Sequence, residues 1–231
     1  MPNEIEKTFI YQVDKITRLT SNISEVQMIA KNSSNRLEYL PGQYVYIYLS
    51  KDKKLPYSLA SSPRQKYLRF LINHGKNDQC LISFKQHLKS EIEISAAAGH
   101  AYYHSNENNI LAISKGLGIA PIIAILENLG LQNIKLEKNI IIMDVVASRE
   151  DLIFEKYFSE ISAKINVEYK NFVTEGCYNL EKLYKDFVDM HQDLNSYDFY
   201  VFGSKLFVFD IYNELLPYCS DNFYSDVNIA I

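Results

Sequence analysis

The feature that most constrains the fold is a change in hydrophobic pattern near residue 105 of the 231-residue chain. Before it, short runs rich in β-branched and aromatic residues alternate with polar residues, and turn-forming clusters separate the runs. After it, apolar strand-like segments alternate with amphipathic segments at helical spacing. The first pattern is typical of an antiparallel barrel or sandwich, and the second of a parallel sheet covered by helices. The sequence therefore predicts two domains, residues 1–105 and 106–231.

The same patterns predict the individual elements. In the first domain we predict one helix at Leu81–Lys89 and five strands, at Thr8–Val13, Glu25–Ile29, Tyr44–Leu49, Tyr67–Ile72 and Glu91–Ile94. In the second domain we predict strands at Ile110–Ser114, Asn139–Val146, Ile165–Phe172 and Asp198–Gly203, and helices at Ile119–Leu129, Asp151–Ser162, Asn179–His191 and Lys205–Leu215.

Composition narrows the class of protein and its compartment. With 24 basic and 28 acidic residues the net charge is -4, which gives no electrostatic reason to expect a nucleic acid partner. Three scattered cysteines, Cys80, Cys177 and Cys219, favour a reducing compartment and contain no Cys-x-x-Cys pair for zinc or iron-sulfur binding. The acidic N-terminus lacks the layout of a secretory signal, and no apolar stretch is long enough to span a bilayer. We therefore expect a cytoplasmic protein.

A glycine-containing segment lies where an apolar strand is predicted to end and a helix to begin. It reads Ser114-Lys115-Gly116-Leu117-Gly118-Ile119-Ala120-Pro121. Glycines let the backbone turn sharply and approach a ligand, and a helix N-terminus offers N–H groups to a diphosphate. The spacing Gly-x-Gly-x-x-Pro differs from the dinucleotide fingerprint, so a tight turn without a ligand explains this segment equally well.

A second segment combines an aromatic ring with hydroxyl groups. It reads Leu55-Pro56-Tyr57-Ser58-Leu59-Ala60-Ser61-Ser62 and follows the Lys51–Lys54 run. A strand of this composition can stack on a planar heterocycle and hydrogen-bond one of its nitrogens. Taken by itself, the segment is better explained as a barrel strand whose serines face water.

Together, the order and separation of the two segments resemble the ferredoxin-NADP reductase superfamily. Three further motifs extend the resemblance over nearly the whole chain: Pro41-Gly42-Gln43-Tyr44, Ser148-Arg149-Glu150-Asp151-Leu152 and Tyr197-Asp198-Phe199-Tyr200-Val201-Phe202-Gly203. In length and apolar C-terminal tail the chain is most similar to the small bacterial NAD(P)H:flavin oxidoreductases. The resemblance implies a flavin-binding Greek-key β-barrel followed by an α/β nicotinamide-binding domain.

The resemblance also implies roles for individual residues. Tyr57 would flank the isoalloxazine, and Ser58, the predicted catalytic residue, would hydrogen-bond flavin N5. The other residues predicted to bind the flavin are Pro56, Leu59, Ile72, Asn73 and His74. The residues predicted to bind NADH or NADPH are Gly116, Leu117, Gly118, Ile119, Pro121, Ser148, Arg149 and Gly203. A guanidinium such as that of Arg149 can hold phosphate oxygens bidentately, although a solvated charge paired with Glu150 or Asp151 is the alternative.

Departures from the family pattern bear on how the flavin is held. The position of the family's flavin-phosphate arginine is Leu55, with Lys54 adjacent, and the second phosphate site survives only as Cys80-Leu81-Ile82-Ser83. Lys115, Leu117, Phe202 and Ser204 also replace family residues on the nicotinamide side. Because each charge-assisted bond contributes about 1.5 to 3 kcal/mol, these losses favour riboflavin, FMN or FAD as a visiting substrate over a resident group.

The sequence thus predicts an NAD(P)H:flavin oxidoreductase, and it leaves two alternatives open. One is an electron-transfer reductase component with tightly bound FAD or FMN, and the other is a non-catalytic member of the fold that binds a nucleotide or a partner. A flavin-dependent downstream enzyme is the expected partner of the reductase. We predict no metal site, because His100 and His104 fall in a strand or loop rather than on one helical face.

Overall fold

The computed structural model describes residues 7–32, 35–50, 53–75, 79–132, 138–175, 194–219 and 221–227. The chain divides into two compact units. Unit 1 comprises residues 1–103 and 123–128, and unit 2 comprises residues 104–122 and 129–231. The helix at Ile119–Gly130 therefore contributes residues to both units.

Unit 1 is built on six antiparallel strands and one short helix. The strands are β1 (Thr8–Arg18), β2 (Ile23–Ala30), β3 (Tyr44–Ser50), β4 (Lys53–Ser58), β5 (Tyr67–Asn73) and β6 (Glu91–Ser95), and the helix is α1 (Gln79–Gln86). Their order in the sheet is β4-β3-β6-β1-β2-β5, a Greek-key arrangement in which β6 lies between β3 and β1. The sheet is nearly closed, because the Ala60 N–H, just beyond β4, donates to the Arg69 carbonyl of β5 at 2.8 Å. The predicted antiparallel barrel is confirmed.

Alternation of side chains explains why these strands form a barrel core. Along β3 every second residue is buried, and the same holds for most of β1. The buried residues pack into one cluster that includes Tyr11, Val26, Ile47 and Phe70, all almost inaccessible to solvent. The residues between them are partly exposed, so the period-two pattern of the sequence is the pattern of the sheet.

Unit 2 contains a five-stranded parallel sheet. Its strands are β7 (Asn109–Lys115), β8 (Ile140–Val146), β9 (Val167–Val173), β10 (Tyr197–Phe202) and β11 (Phe223–Tyr224), and its helices are α2 (Ile119–Gly130), α3 (Glu155–Ser162) and α4 (Lys205–Leu215). The strand order is β11-β10-β7-β8-β9. Every residue of β8 and β10 is buried, as expected for central strands covered on both faces. The predicted α/β domain is confirmed.

Several predicted boundaries differ from those observed. Helix α3 begins at Glu155 rather than Asp151, because Arg149–Asp151 forms a separate 3-10 turn that ends at Leu152, where ψ is 54°. Helix α1 ends at Gln86, and Lys89 has a positive φ of 62°, which no helix accommodates. The short edge strand β11 has no signal in the sequence pattern. The helix predicted at Asn179–His191 lies outside the described residues.

Gly42 fixes the start of β3 against a neighbouring segment. Its φ is 111°, and an added Cβ would lie 2.8 Å from the Tyr102 Cα. The Tyr103 N–H donates to the Pro41 carbonyl at 2.8 Å, and the Gln43 side-chain amide donates to the Gly99 carbonyl at 3.1 Å. The Pro-Gly-Gln motif therefore holds residues 99–103 against the barrel.

Gly42→Ala is expected to lower the free energy of unfolding by roughly 2 to 6 kcal/mol, because backbone strain and overpacking each cost about 1 to 3 kcal/mol. Gly75→Ala is the matched control, since Gly75 also has a positive φ (50°) but its nearest neighbour to an added Cβ is 3.9 Å away. The control is expected to lose only about 1 to 2 kcal/mol. Urea denaturation measures both, and equal losses would contradict the proposed close approach.

Candidate functional site

The barrel presents an aromatic ring near the end of β4. The ring of Tyr57 contacts Phe84 of α1 edge-on, with centroids 5.5 Å apart, and Phe70 of β5 at 6.4 Å. Both phenylalanines are fully buried, whereas Tyr57 is half-buried. Two core rings thus fix the orientation of a third ring whose surface is partly open, an arrangement suited to stacking on a planar heterocycle.

Ser58 is the last residue of β4 and pairs with Tyr44 of β3. It is half-buried, and the next residue, Leu59, is completely buried in the barrel core. The Leu59 N–H donates to the Gln43 carbonyl at 3.1 Å. Pro56 is exposed on the face of β4 opposite to Tyr57. The structure therefore places Ser58 at the residue where the strand leaves the sheet.

Leu55 and Lys54 lie on opposite faces of β4. Leu55 packs against the barrel core together with Tyr57. The Lys54 ammonium lies over the rings of Tyr46 and Tyr48, at 4.9 and 5.5 Å from their centroids. Because strand alternation directs Lys54 away from the Leu55 side, this lysine does not take the place of the family's arginine here.

Three predicted flavin residues lie at the end of β5 or directly after it, and each has a different environment. Ile72 is 1% exposed and fills the core, so its side chain is not available to a ligand. The Asn73 side chain accepts a hydrogen bond from the Gly75 N–H at 3.0 Å, which stabilises the turn. His74 is buried, with its Nε2 3.2 Å from the Ser24 hydroxyl.

A partly buried ionic network contacts the residues that follow β4, and sequence reasoning missed it. Arg69 of β5 forms ion pairs with Glu25 of β2 and with Glu127. Arg69 also donates to the Ala60 carbonyl at 2.8 Å, and Glu127 accepts from the Ser62 N–H at 3.2 Å. The sequence signal is Arg69, a charged residue in an otherwise apolar strand. Its partners Glu25 and Glu127 lie 44 and 58 residues away in the sequence.

In unit 2 the glycine segment lies at the carboxyl end of β7. Gly116 has a φ of 60°, and an added Cβ would meet nothing within 4 Å, so the glycine serves its backbone conformation and faces open space. Residues Gly116–Gly118 form a 3-10 turn that leads directly into α2. Open space beside a helix N-terminus is the arrangement that accommodates a diphosphate.

The second glycine of the segment permits a close approach between the turn that follows β7 and the end of β10. An added Cβ on Gly118 would lie 2.6 Å from the Phe202 carbonyl carbon, and one on Gly203 would lie 2.6 Å from Phe207 and 3.3 Å from Lys115. The carboxyl ends of β7 and β10 are adjacent in the sheet, at the point where the strand order reverses. In open α/β sheets this switch point is where ligands bind.

The remaining residues of the segment are divided between the core and the surface. Ile119 is 3% exposed, and Pro121 is also buried in the first turn of α2, whereas Leu117 is half-buried. Lys115 places its ammonium 5.6 Å from the centroid of Phe207. Ser204 caps α4 by accepting from the Phe207 N–H at 3.4 Å. The open part of the segment is therefore Gly116 and Leu117.

Ser148 and Arg149 follow the carboxyl end of β8, the next strand in the sheet. The Ser148 hydroxyl donates to the Asp151 carboxylate at 2.9 Å, and the Ser148 N–H donates to the same oxygen at 3.2 Å. Arg149 is exposed, and within the described ranges it makes no ion pair with Glu150 or Asp151. Asp151 therefore positions Ser148, while the guanidinium faces solvent at the sheet edge where β7 and β10 also end.

A buried carboxylate lies below this edge. Asp144 of β8 is 3% exposed and accepts hydrogen bonds from the Ser114 hydroxyl at 2.8 Å and the Tyr169 hydroxyl at 3.1 Å. The ring of Tyr169 stacks on Phe158 of α3, with centroids 4.2 Å apart. Burial raises the pKa of Asp144 to about 6, and the hydrogen bonds from Ser114 and Tyr169 act in the opposite direction.

His104 packs in an aromatic stack of unit 2. Its ring stacks on Tyr224 of β11 at 4.3 Å, and Tyr224 stacks on Tyr200 of β10 at 4.9 Å. The backbone N–H of His104 donates to the Tyr200 hydroxyl at 2.9 Å. In the described part of the chain, no group of three His, Cys, Asp or Glu side chains is arranged to hold a metal ion.

Asp144→Asn is expected to flatten the dependence of stability on pH. The folded chain binds the Asp144 proton more tightly than the unfolded chain, whose carboxyl pKa is near 3.8. The charged carboxylate therefore destabilises the fold fully above pH about 6. This destabilisation is lost as the pH falls toward 4. As the pH rises from about 4 to above 6, the stability advantage of the asparagine variant over the parent should grow to about 3 kcal/mol.

Urea denaturation between about pH 4 and 8 measures the difference, with Asp221→Asn as the exposed control. A variant whose stability follows the same pH profile as the parent would show that Asp144 does not titrate in this window.

Comparisons with known proteins bear on both units. Residues 10–110 match the model of the FAD-binding domain family. Over 113 residues the chain is 24% identical to the reductase component, a ferredoxin–NAD(P)(+) reductase, of the naphthalene 1,2-dioxygenase system of Pseudomonas putida. That alignment covers 48% of this chain and 34% of the relative, so the chain spans about a third of the relative's length. No helix in the described ranges is long and apolar enough to cross a membrane.

Solved structures with the same fold cover nearly all of the chain. One is the FAD/NAD-binding domain of nitric oxide dioxygenase from Vibrio cholerae, with a TM-score of 0.73, 20% identity and coverage of 94% of this chain and 96% of the other. Another is a ferredoxin NADP+ reductase from Neisseria gonorrhoeae with bound FAD and NADP, with a TM-score of 0.77, 17% identity and coverage of 92% of each chain. The resemblance expected from the motifs is confirmed: the chain has the two-unit fold of the ferredoxin-NADP reductases, and its residues 10–110 match a FAD-binding domain.

Proposed function

We propose that the chain is an NAD(P)H-dependent oxidoreductase that reduces a loosely held flavin. The observation that carries the proposal is the half-exposed Tyr57 ring, held by Phe70 and Phe84 and followed directly in the chain by Ser58, the last residue of β4. A partly exposed ring can stack on an isoalloxazine, and a serine where the strand ends can supply a hydrogen bond to its reacting nitrogen. The FAD-binding family match over residues 10–110 supports the same assignment.

The environment of Leu55 supports loose binding. In place of a cation, this position carries an apolar side chain packed on the core, and the neighbouring Lys54 is engaged with Tyr46 and Tyr48. Charge-assisted hydrogen bonds to phosphate contribute about 1.5 to 3 kcal/mol each, so their loss weakens recognition of the phosphates of FMN or FAD. We therefore expect riboflavin, FMN and FAD to be accepted as exchangeable substrates.

Unit 2 supplies the proposed nicotinamide nucleotide site. The open space at Gly116, the N-terminus of α2 and the exposed Arg149 lie at the carboxyl ends of neighbouring strands. These groups suit a diphosphate, since backbone N–H donors and a guanidinium both bind phosphate oxygens. When bound, the nicotinamide and the flavin supply the hydride-transfer chemistry, and the residues of this chain bind and orient them.

A second candidate is an electron-transfer reductase component with tightly bound FAD. The match to the Pseudomonas putida dioxygenase reductase favours it, because that protein is named as a reductase component of a dioxygenase system. The two candidates differ in flavin stoichiometry. A protein purified with close to one FAD per chain supports the reductase component, whereas one purified without flavin supports the flavin reductase.

The test of the proposed function is oxidation of NADH and NADPH, followed at 340 nm with and without added riboflavin, FMN or FAD. We expect oxidation that depends on added flavin, with riboflavin used about as well as FMN. Failure of every pair at saturating concentrations would contradict the proposal and favour a non-catalytic nucleotide- or partner-binding role.

Ser58→Ala is expected to lower kcat by about 10- to 100-fold while changing the flavin KM by less than about 3-fold, because its hydroxyl would contact the reacting nitrogen rather than anchor the ligand. Ser50→Ala, at the exposed far end of the β3–β4 hairpin, is the matched control and should keep parental kinetics. A variant with a raised KM and an unchanged kcat would assign Ser58 to binding instead.

A further inference from the structure

We propose that Arg69 and Glu127 are positioning residues that hold the end of β4 in place for the flavin. We refer to the pair as the clamp, and its target is the segment Ala60–Ser62. The clamp is a property of the chain itself, while its consequence for turnover rests on the proposed function.

The Arg69 half of the clamp holds Ala60 and Ser61 by both its side chain and its backbone. Its guanidinium donates to the Ala60 carbonyl at 2.8 Å. Its carbonyl accepts from the Ala60 N–H at 2.8 Å, and its N–H donates to the Ser61 hydroxyl at 3.1 Å. One residue of β5 thus makes three hydrogen bonds to two consecutive residues, which fixes their distance from the sheet.

The Glu127 half holds the next residue. One carboxylate oxygen of Glu127 pairs with Arg69, and the other accepts from the Ser62 N–H at 3.2 Å. The neighbouring Asn128 accepts from the Ser62 hydroxyl at 3.3 Å. Burial raises the pKa of Glu127, while Arg69 and the Ser62 N–H oppose the shift. The carboxylate therefore joins the guanidinium to the segment.

Net stability is a weak explanation for these charges. The Arg69 and Glu127 side chains are only 16% and 13% exposed. Desolvation of a buried ion pair offsets much of its attraction, so an apolar pair of similar volume is often equally stable. The charged pair instead fixes the positions of its hydrogen-bond partners, because a guanidinium and a carboxylate both form directional hydrogen bonds.

The clamp holds the chain just after the predicted catalytic residue, Ser58. β4 is an edge strand of the described sheet and is paired on one side, with β3. Ser58 is its last residue, and only Leu59 separates it from the clamped segment. Since a displacement of about 1 Å at a reacting centre can cost on the order of 100-fold in rate, the anchoring of residues 60–62 bears directly on where the Ser58 hydroxyl lies.

The clamp is tested by hydrogen exchange of the amides of residues 59–62, measured by mass spectrometry on the full chain. Glu127→Ala should raise exchange in this segment by at least about 10-fold, because both the Ser62 acceptor and the partner of Arg69 are lost. Glu25→Ala is the matched control, since Glu25 also pairs with Arg69 and is 14% exposed, but its ion pair is made outside residues 60–62. The control should leave exchange in the segment unchanged.

The catalytic consequence is tested with the same variants in the flavin-dependent assay. Glu127→Ala and Arg69→Lys should each lower kcat by about 10- to 100-fold with the flavin KM within about 3-fold of the parent, whereas Glu25→Ala stays within about 3-fold in both. Glu127→Gln, which keeps an acceptor for the Ser62 N–H, should recover at least part of the loss. Thermal unfolding of each variant identifies any loss that merely follows stability.

The outcomes separate the two hypotheses. Equal effects of Glu127→Ala and Glu25→Ala on exchange would overturn the clamp, as would a kcat that falls in proportion to melting temperature across all the variants. A parent protein that oxidises no NADH or NADPH with any flavin would overturn the proposed function, while the exchange measurement would still decide whether the clamp exists. Should Glu127→Ala fail to fold, the comparison of Glu127→Gln and Arg69→Lys with Glu25→Gln decides.

Discussion

The parallel sheet depends on one close approach, that of Gly118 to the end of β10. No side chain fits between the Gly118 Cα and the Phe202 carbonyl, and an added Cβ on Gly203 would lie 2.6 Å from the Phe207 ring and 3.3 Å from Lys115. These contacts bring the start of α2 against the end of β10, which lies next to β7 at the point where the strand order reverses. In the resulting conformation of the turn, Gly116 faces open space. The close packing and the proposed ligand site therefore both depend on Gly116, Gly118 and Gly203.

The barrel meets a different requirement, which is to expose part of an aromatic ring without losing core volume. Phe70 and Phe84 are fully buried and contact Tyr57 with their rings roughly perpendicular to it. Edge-to-face contacts of this kind stabilise ring orientation beyond the burial of area. The core therefore sets the orientation of a surface group, and the residues that follow β4 are held by the side chains of Arg69 and Glu127 as well as by backbone hydrogen bonding to β5.

The sequence predicted the architecture well because both periodicities are produced by burial. Alternation in β3 is a direct consequence of covering on one face, and the mostly apolar, fully buried strands β8 and β10 are a consequence of covering on both faces. The glycine segment was located correctly at a strand-to-helix junction. The environments of Ile72, Ile119 and Leu59 were not predictable in the same way, because a motif gives the order of residues along the chain and not which side chains fill the core.

Groups that act through distant partners were also beyond reach of the pattern. Asp144 interrupts an apolar strand, which signals a special environment, but its partners Ser114 and Tyr169 lie on two other strands. The same holds for Arg69, whose two carboxylates come from β2 and from α2. Such pairs become visible only when the register of neighbouring strands is known, and register depends on the whole sheet.

The edges of the parallel sheet differ in how they meet the hazard of unpaired backbone groups. On one side of the described sheet, β11 is only two residues long, and on the other, β9 carries Glu168 and Lys170, which pair at 2.9 Å. A short edge and a charged edge are both poor templates for the strand of another molecule. The described edges of unit 2 should therefore resist the intermolecular strand addition that leads to aggregation.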